Sequence, residues 1–315
     1  MTDPGLLKPD LGRYGVWTMG PVRPEQAAEI ERLGYGAVWV GGSPASDLTF
    51  AEPLLDNTES LTLATGIVNI WSAPAEPVAN SYRRIEQAYP GRFLLGVGVG
   101  HPEHTEEYRS PYDALVAYLD ELDKYGVPDS RRVIAALGPK VLKLAARRSA
   151  GAHPYLTTPE HTARARELIG TSVFLAPEHK VALSTDVEEA RELGRQAVGF
   201  YLNLSNYDNN WKRLGFTDAD VTPPGSDKLI DAVVAHGDRG RRRRTAQRAP
   251  EGRRRPCGDP SARRLGQAAA DVDRTRPRAG AGRTGLSRSP LGFDHAAVGH
   301  RRRRVHRGQL RAHHP

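Results

Sequence analysis

The chain has 315 residues and a formal net charge of +8 that is unevenly laid out. Residues 1–238 carry 23 Lys and Arg against 32 Asp and Glu, a net of −9, whereas residues 239–315 carry 22 Arg, no Lys and five acids, a net of +17. The front is long enough for one large α/β domain with its own core, and the single cysteine, Cys257, lies behind it, which excludes disulfides and cysteine-held metal there.

The first residues, Met1 to Tyr14, are polar and lack a basic stretch followed by an apolar one, so no signal peptide is expected. The longest strongly apolar run, Phe93 to Gly100, is too short to span a bilayer, and a cytoplasmic protein is the expectation. From Tyr14 onward, short runs rich in Val, Ile, Leu and Trp alternate with stretches of helical period. The predicted strands are Tyr14–Thr18, Ala37–Val40, Leu61–Val68, Arg92–Val99, Val133–Leu137, Gly151–Leu156 and Val173–Leu175. Between them lie helical patterns such as Glu25–Leu33, with Ala27, Ile30 and Leu33 on one face, and Lys140–Arg148. Gly34 and Gly36 fall where a helix stops before a strand, Thr158-Pro159 offers an N-cap with Pro at N1, and Thr185 with Glu188 spells a capping box. Ser226–His236 reads as the last helix, with Leu229, Ile230, Val233 and Val234 on one side.

Continuous apolar strands alternating with helices imply a parallel sheet buried on both faces. A doubly wound sheet would carry G-x-G-x-x-G after the first strand, which Tyr14–Pro21 lacks, so a (β/α)8 barrel is the expected fold, one strand short of closure. Where the last helix and strand should follow Asp238 the sequence runs Arg-Gly-Arg-Arg-Arg-Arg. Arg, Ala, Gly and Pro enrichment is what GC-rich codons yield out of frame. Back-translating Arg244–Asp259 and shifting one base permits "ARLSEHLKAGADHVAI", a helix, a turn and a strand, and the same offset at Asp271–Gly280 permits "MWTELAPALG". Two domains are therefore expected: a barrel over 1–238 and a frameshifted, disordered Arg-rich tail over 239–315, whose product would be inactive without its last strand. The competing reading is a genuine basic tail, with Arg241–Arg244, Arg253–Arg255 and Arg301–Arg304 on phosphates, making the chain a non-enzymatic nucleic-acid binder. The tail lacks Lys, interleaved Tyr or Trp and RGG spacing, so only nonspecific nucleic-acid adhesion is expected of it.

A barrel places its active site at the C-terminal ends of its strands. Those ends read Trp17-Thr18, Gly41-Gly42-Ser43, Gly66-Ile67-Val68-Asn69-Ile70-Trp71, Gly98-Val99-Gly100-His101, Leu137-Gly138-Pro139-Lys140, His153-Pro154-Tyr155 and Ala176-Pro177-Glu178. They are rich in Gly, aromatics and amides and poor in paired carboxylates or activated nucleophiles, which suits a planar cofactor that brings its own chemistry. No catalytic residue is assigned. Gly138-Pro139-Lys140 opens a helix after a strand, where free N–H groups favour an anion, and Lys140 adds a charge either as a phosphate contact or as a solvated helix-start lysine. Thr157 and Thr158 offer hydroxyls to a phosphate, though Thr158 taken alone reads as a simple N-cap, and His153 stands near ring or phosphate or is a structural histidine. Trp17, Ser43 and Trp71 fall where they would wall a substrate pocket, with Trp17 and Trp71 equally ordinary as core tryptophans. His101-x-x-His104 has metal-like spacing without a third ligand, so no metal is expected.

The segments "TGIVNIW", "GRFLLGVGVGH", "AALGPKVLKLAA" and "GAHPYLTTPEHTARAREL" resemble the bacterial luciferase-like superfamily, and within it the oxidoreductases that use the deazaflavin coenzyme F420. The resemblance runs through nearly all of residues 11–238 and stops at Asp238. It implies a (β/α)8 fold, hydride transfer between F420 and a small organic substrate, and a coenzyme site at Gly66, Ile67, Val68, Asn69, His101, Gly138, Pro139, Lys140, His153, Thr157 and Thr158. It also implies a cis peptide bond between Gly66 and Ile67, with Asn69 orienting the ring, and is compatible with a homodimer. The alternative within the superfamily is an FMN-dependent monooxygenase. Gly41-Gly42-Ser43 departs from relatives with Asp or His at the second strand end and leaves the proton donor open.

The DNA around codon 238 is expected to hold an open frame one base away that encodes the helix-turn-strand segment above. Sequencing the gene checks this, and a locus without such a frame refutes the account of residues 239–315.

Overall fold

The structure is a computed structural model that describes residues 10–20, 22–101, 110–238 and 240. These belong to the first of the two units into which the chain divides, Met1–Arg254. Residues 239 and 241–315, and with them the expected disorder of the Arg-rich tail, lie outside the described residues, as does His104.

Eight strands form one parallel sheet: β1 (Gly15–Thr18), β2 (Ala37–Val40), β3 (Thr62–Thr65), β4 (Val68–Asn69), β5 (Phe93–Gly98), β6 (Arg132–Ile134), β7 (Gly151–Ala152) and β8 (Phe174–Leu175). Their order is β1-β2-β3-β5-β6-β7-β8, and β4 continues β3 alongside β5, so the sheet has seven strand positions. It is an incomplete (β/α)8 barrel, and among the described residues no eighth strand joins β8 back to β1. Helices α1 (Pro24–Arg32), α2 (Ala51–Asp56), α3 (Ala75–Ala88), α4 (Pro111–Lys124), α5 (Pro139–Arg148) and α6 (Pro159–Ile169) alternate with these strands. After β8 come β9 (Lys180–Val181), α7 (Val187–Val198), α8 (Ser205–Arg213), α9 (Asp218–Val221), α10 (Asp227–Val233) and β10 (Val234–Ala235).

Period-two alternation sorts the strand residues into two cores. Val38, Val40, Leu63, Phe93, Leu95, Val97 and Ile134 face outward, packing with Val78, Tyr82, Ile85, Leu119 and Leu142 of the helices. Ala37, Trp39, Ala64, Leu94 and Val133 face inward, joined by Trp17 and Phe174. A third cluster, around Leu156, Tyr201, Tyr207, Trp211 and Ile230, fills the layer of α7–α10 beyond the sheet. Helix α1 ends as its glycine predicts: Gly34, at φ +84°, lets its N–H reach the Glu31 carbonyl and Tyr35 N–H reach that of Ile30.

Three expectations need correction. The segment expected as one strand over Leu61–Val68 is two, β3 and β4, separated by the Gly66–Ile67 bond, which is cis. The capping box at Thr185 does not form; Asp186 caps α7 one residue later, its carboxylate accepting from Glu189 N–H at 2.8 Å, because Ser184 hydroxyl takes the Asp186 N–H and the Glu189 side chain instead. The last helix stops at Val233, and Val234–Ala235 become a strand in parallel pairing with Lys180–Val181. β-Branched Val234 suits that strand, and its partner is 54 positions away in sequence, where no local pattern reveals it.

Gly96 is the tightest backbone contact inside the sheet. Its N–H donates to Thr65 Oγ1 at 2.7 Å, the same hydroxyl donates to its carbonyl at 2.8 Å, and a Cβ there would run into the Thr65 carbonyl. Gly96→Ala is expected to destabilise the protein by about 2–3 kcal/mol through overpacking. Urea denaturation checks this as a lower midpoint at unchanged slope.

Candidate active site

The inward-facing row leads to the C-terminal ends of the strands. Trp39 of β2 lies flat on the His153 imidazole beyond β7, with ring centroids 4.2 Å apart and planes 15° from parallel. His153 is 3% exposed. Its Nδ1 donates to the Ala176 carbonyl at 2.7 Å, which leaves Nε2 as the bare nitrogen, buried and without a protein partner. That nitrogen is 3.5 Å from where a Cβ on Gly66 would sit. Burial pushes the imidazole pKa below its ordinary value.

On the neighbouring strand and in register with Trp39, Trp17 of β1 fills the space that Gly41 and Gly66 leave by lacking side chains. Its Nε1 donates to the Gly66 carbonyl at 3.1 Å, and its ring stands 4.7 Å from that of Tyr155. Lys180 Nζ projects over both rings, 4.7 Å from Trp17 and 4.6 Å from Tyr155, and donates to Tyr155 Oη at 2.6 Å. Glu178 anchors the ammonium: Oε1 is 3.0 Å from Lys180 Nζ, while Oε2 accepts the N–H of Leu156, a residue at φ +52°. Tyr155 Oη lies 2.8 Å from Tyr201 Oη, with Tyr207 packed edge-on against both rings. Burial, and then the Glu178 charge, raise the Tyr155 pKa, so it is a neutral phenol.

The next strand ends are cationic. Helix α5 starts at Pro139 with Gly138 as an N-cap that has no side-chain cap, and Arg213 Nη2 lies 4.0 Å from where a Cβ on Gly138 would be. Thr158 caps α6, accepting from His161 N–H at 3.2 Å. His161 Nε2 donates to the Leu137 carbonyl at 2.8 Å, and His179 Nδ1 to the Thr157 carbonyl at 3.1 Å. Thr157 Oγ1, His161 Nδ1 and His179 Nε2 are buried without a protein partner. Burial lowers both histidine pKa values, with Arg213, His179 and Arg164 lowering His161 further. Two helix N-termini, two arginines and an unpartnered hydroxyl can hold an anion.

The remaining expected residues are spread more widely. Ile67 fits against Gly98, whose absent Cβ would lie 3.1 Å from the Ile67 side chain, and Val68 is buried in the outer core. Asn69 accepts the Trp71 N–H on Oδ1 at 3.1 Å and turns Nδ2 toward Gly100. His101 Nδ1 is 3.1 Å from Asn206 Oδ1, tying the end of β5 to α8. Pro139 and Lys140 are exposed in the first turn of α5. Ser43 is an exposed loop residue at φ +53°. Trp71 donates to the Val99 carbonyl at 2.8 Å and lines a cavity of about 590 Å³ between α3 and α4, with Pro74, Tyr118 and Tyr125, away from Trp17. Lys180, Tyr201, Arg213, Arg164, His161 and His179 are absent from the sequence reading. Glu178 and Lys180, two apart in an extended segment and so on one side, were the available signal. Among the described residues no three His, Cys, Asp or Glu side chains gather as a metal would need, and no helix is long and apolar enough to cross a membrane.

Residues 23–124 match the family described as luciferase-like monooxygenase. In fold, the chain is similar to an F420-dependent secondary alcohol dehydrogenase in complex with an F420-acetone adduct, at 16% identity and a TM-score of 0.57, over 75% of this chain and 89% of that one. It is also similar to the coenzyme F420 dependent tetrahydromethanopterin reductase from Methanopyrus kandleri, at 14% identity and a TM-score of 0.55, again over 75% and 89%. No curated protein matches the sequence significantly.

Three histidines, 153, 161 and 179, are held neutral by burial, each with its pKa below 6.5. The unfolded chain takes up protons at them that the folded protein does not, so stability rises with pH there and falls as pH drops below 6.5. The expected loss is up to about 1.4 kcal/mol per pH unit for each histidine. Urea denaturation between pH 7.5 and 5.5, roughly the span over which a histidine titrates, checks it, and His153→Gln should flatten the slope.

Proposed function

We propose that this luciferase-like chain is an oxidoreductase that moves a hydride between the deazaflavin coenzyme F420 and a small organic substrate. The observation that carries the reading is the pairing of a flat wall with a cationic pocket at one end of a parallel sheet. Gly66, Ile67 and Trp17 would face the ring, with Val68 backing the strand from the outer core, while Thr157, Thr158, Gly138 and Arg213 would hold the phosphate. The residues fit such a group: Thr157 Oγ1 is a buried hydroxyl with no partner in the protein, beside two helix N-termini. A bound deazaflavin supplies a carbon that gives or takes a hydride; the protein supplies orientation and a dry wall. The F420-dependent likenesses in fold support this choice of coenzyme over FMN.

Among the described residues no strand fills the side between β1 and β8, beside Trp17 and Tyr155, so a tail read out of frame would weaken the site by leaving that side without its strand. Titrating the 315-residue chain and a frame-restored chain with F420 and with FMN, by absorbance shift and protection against thermal unfolding, tests the proposal. F420 is expected to bind more tightly than FMN in both, more tightly in the restored chain, and about tenfold less tightly in Arg213→Met, in which one charge-assisted contact to phosphate is lost. Binding of FMN alone would overturn the deazaflavin reading in favour of a flavin monooxygenase.

A further inference from the structure

The Tyr155–Tyr201 phenol pair has one O–H more than its contacts among the described residues use. An ammonium only donates, so Tyr155 Oη accepts from Lys180. The bond between Tyr155 and Tyr201 engages one hydroxyl hydrogen, whichever phenol donates it, and the two phenols carry two. One O–H is therefore left without an acceptor among the described residues. Trp17 connects this pair to the expected ring wall: it packs on Tyr155 on one side and donates to the Gly66 carbonyl on the other. Glu178 and the two aromatic faces hold the ammonium over the phenol, and the Lys180 side chain, 19% exposed, still reaches solvent.

We propose that Tyr155, positioned by Lys180, is the proton carrier of this site, and that the substrate is a carbonyl compound, an aldehyde or ketone, interconverted with its alcohol. The proposal rests on the hydride-transfer reading above and names its substrate class. In the reducing direction the carbonyl carbon takes a hydride, with its two electrons, from a reduced deazaflavin, and the C=O π pair moves onto oxygen. That oxygen forms an O–H bond with the Tyr155 proton as the Tyr155 O–H bond breaks. The products are the alcohol, the oxidised coenzyme and a phenolate beside the Lys180 ammonium. Lys180 returns a proton to the phenolate and regains one from water. Burial keeps the phenol protonated until an oxyanion, a stronger base, develops next to it. A secondary role follows for Glu178, which keeps the ammonium from swinging into solvent.

The 315-residue chain and its frame-restored form, each with its Tyr155→Phe, Lys180→Met and Lys180→Arg variants, test this with three readouts: F420 binding, reduction of small ketones and aldehydes by reduced F420, and broadening of the fluorine resonance of trifluoroethanol, a stand-in for the alcohol. Tyr155→Phe is expected to keep coenzyme affinity within about threefold, to lose about 100-fold or more in kcat and to lose the broadening. Lys180→Met is expected to lower kcat about tenfold with KM little changed, and Lys180→Arg to restore most of it. Ketone reduction at the native rate by Tyr155→Phe, or native broadening by that variant, would overturn the proposal, as would a coenzyme-bound native protein that reduces no carbonyl compound. Failure of the native chain to bind F420 would instead overturn the hydride-transfer reading, and the trifluoroethanol titration would still decide Tyr155. Were Tyr155→Phe to unfold, the lysine pair carries the same decision.

Discussion

The contact on which the site most depends is the His153 imidazole lying flat on the Trp39 indole. It joins β2 to the end of β7 through the interior of a sheet whose two outer strands, β1 and β8, each have a single strand partner among the described residues. A parallel sheet closed into a barrel needs no such tie, because hydrogen bonds run around it without an edge. Among the described residues, where no strand joins β8 to β1, the stack, the Trp17–Tyr155 contact and the Ala176 carbonyl on His153 Nδ1 bring the far strand ends face to face. The Trp17 contact requires missing side chains: Gly41 and Gly66 leave the room that its indole occupies.

The short segment after β7 serves both halves of the site. His153 and Tyr155 belong to the aromatic half, and Thr157 and Thr158 to the cationic half. The change of direction between them is at Leu156, whose left-handed backbone would be unfavourable for a leucine without the Glu178 carboxylate on its N–H. The same carboxylate holds Lys180. One buried acid thus orders the turn that presents the anion site and places the cation beside the phenol.

The sequence pattern carried the sheet well and its far side poorly. Strands at Ala37–Val40, Arg92–Val99 and Val173–Leu175 were legible because continuous apolar runs between helical stretches have one physical outcome, a strand covered on both faces. Pro139 and Pro159 marked helix starts for the reason that proline suits the first turn and nowhere later. Local pattern failed where the competition was itself tertiary. Val233-Val234 fits either a helix end or a strand, and pairing with Lys180–Val181 decided it. Trp71 read as a pocket wall from its place after a strand, yet its indole N–H turned to Val99 and its ring to the groove between α3 and α4.

The sequence by itself determined the parallel α/β architecture and the glycines at the strand ends, since each depends on residue type and short-range spacing. It also located the break in charge at Asp238. Only the tertiary structure decided which polar groups meet. Arg213 comes from a helix 75 positions beyond Gly138, and Tyr201 is 46 positions from Tyr155. Such partners are chosen by the packing of α7–α10 against the strand ends, and no periodicity in the chain records a contact made across that distance.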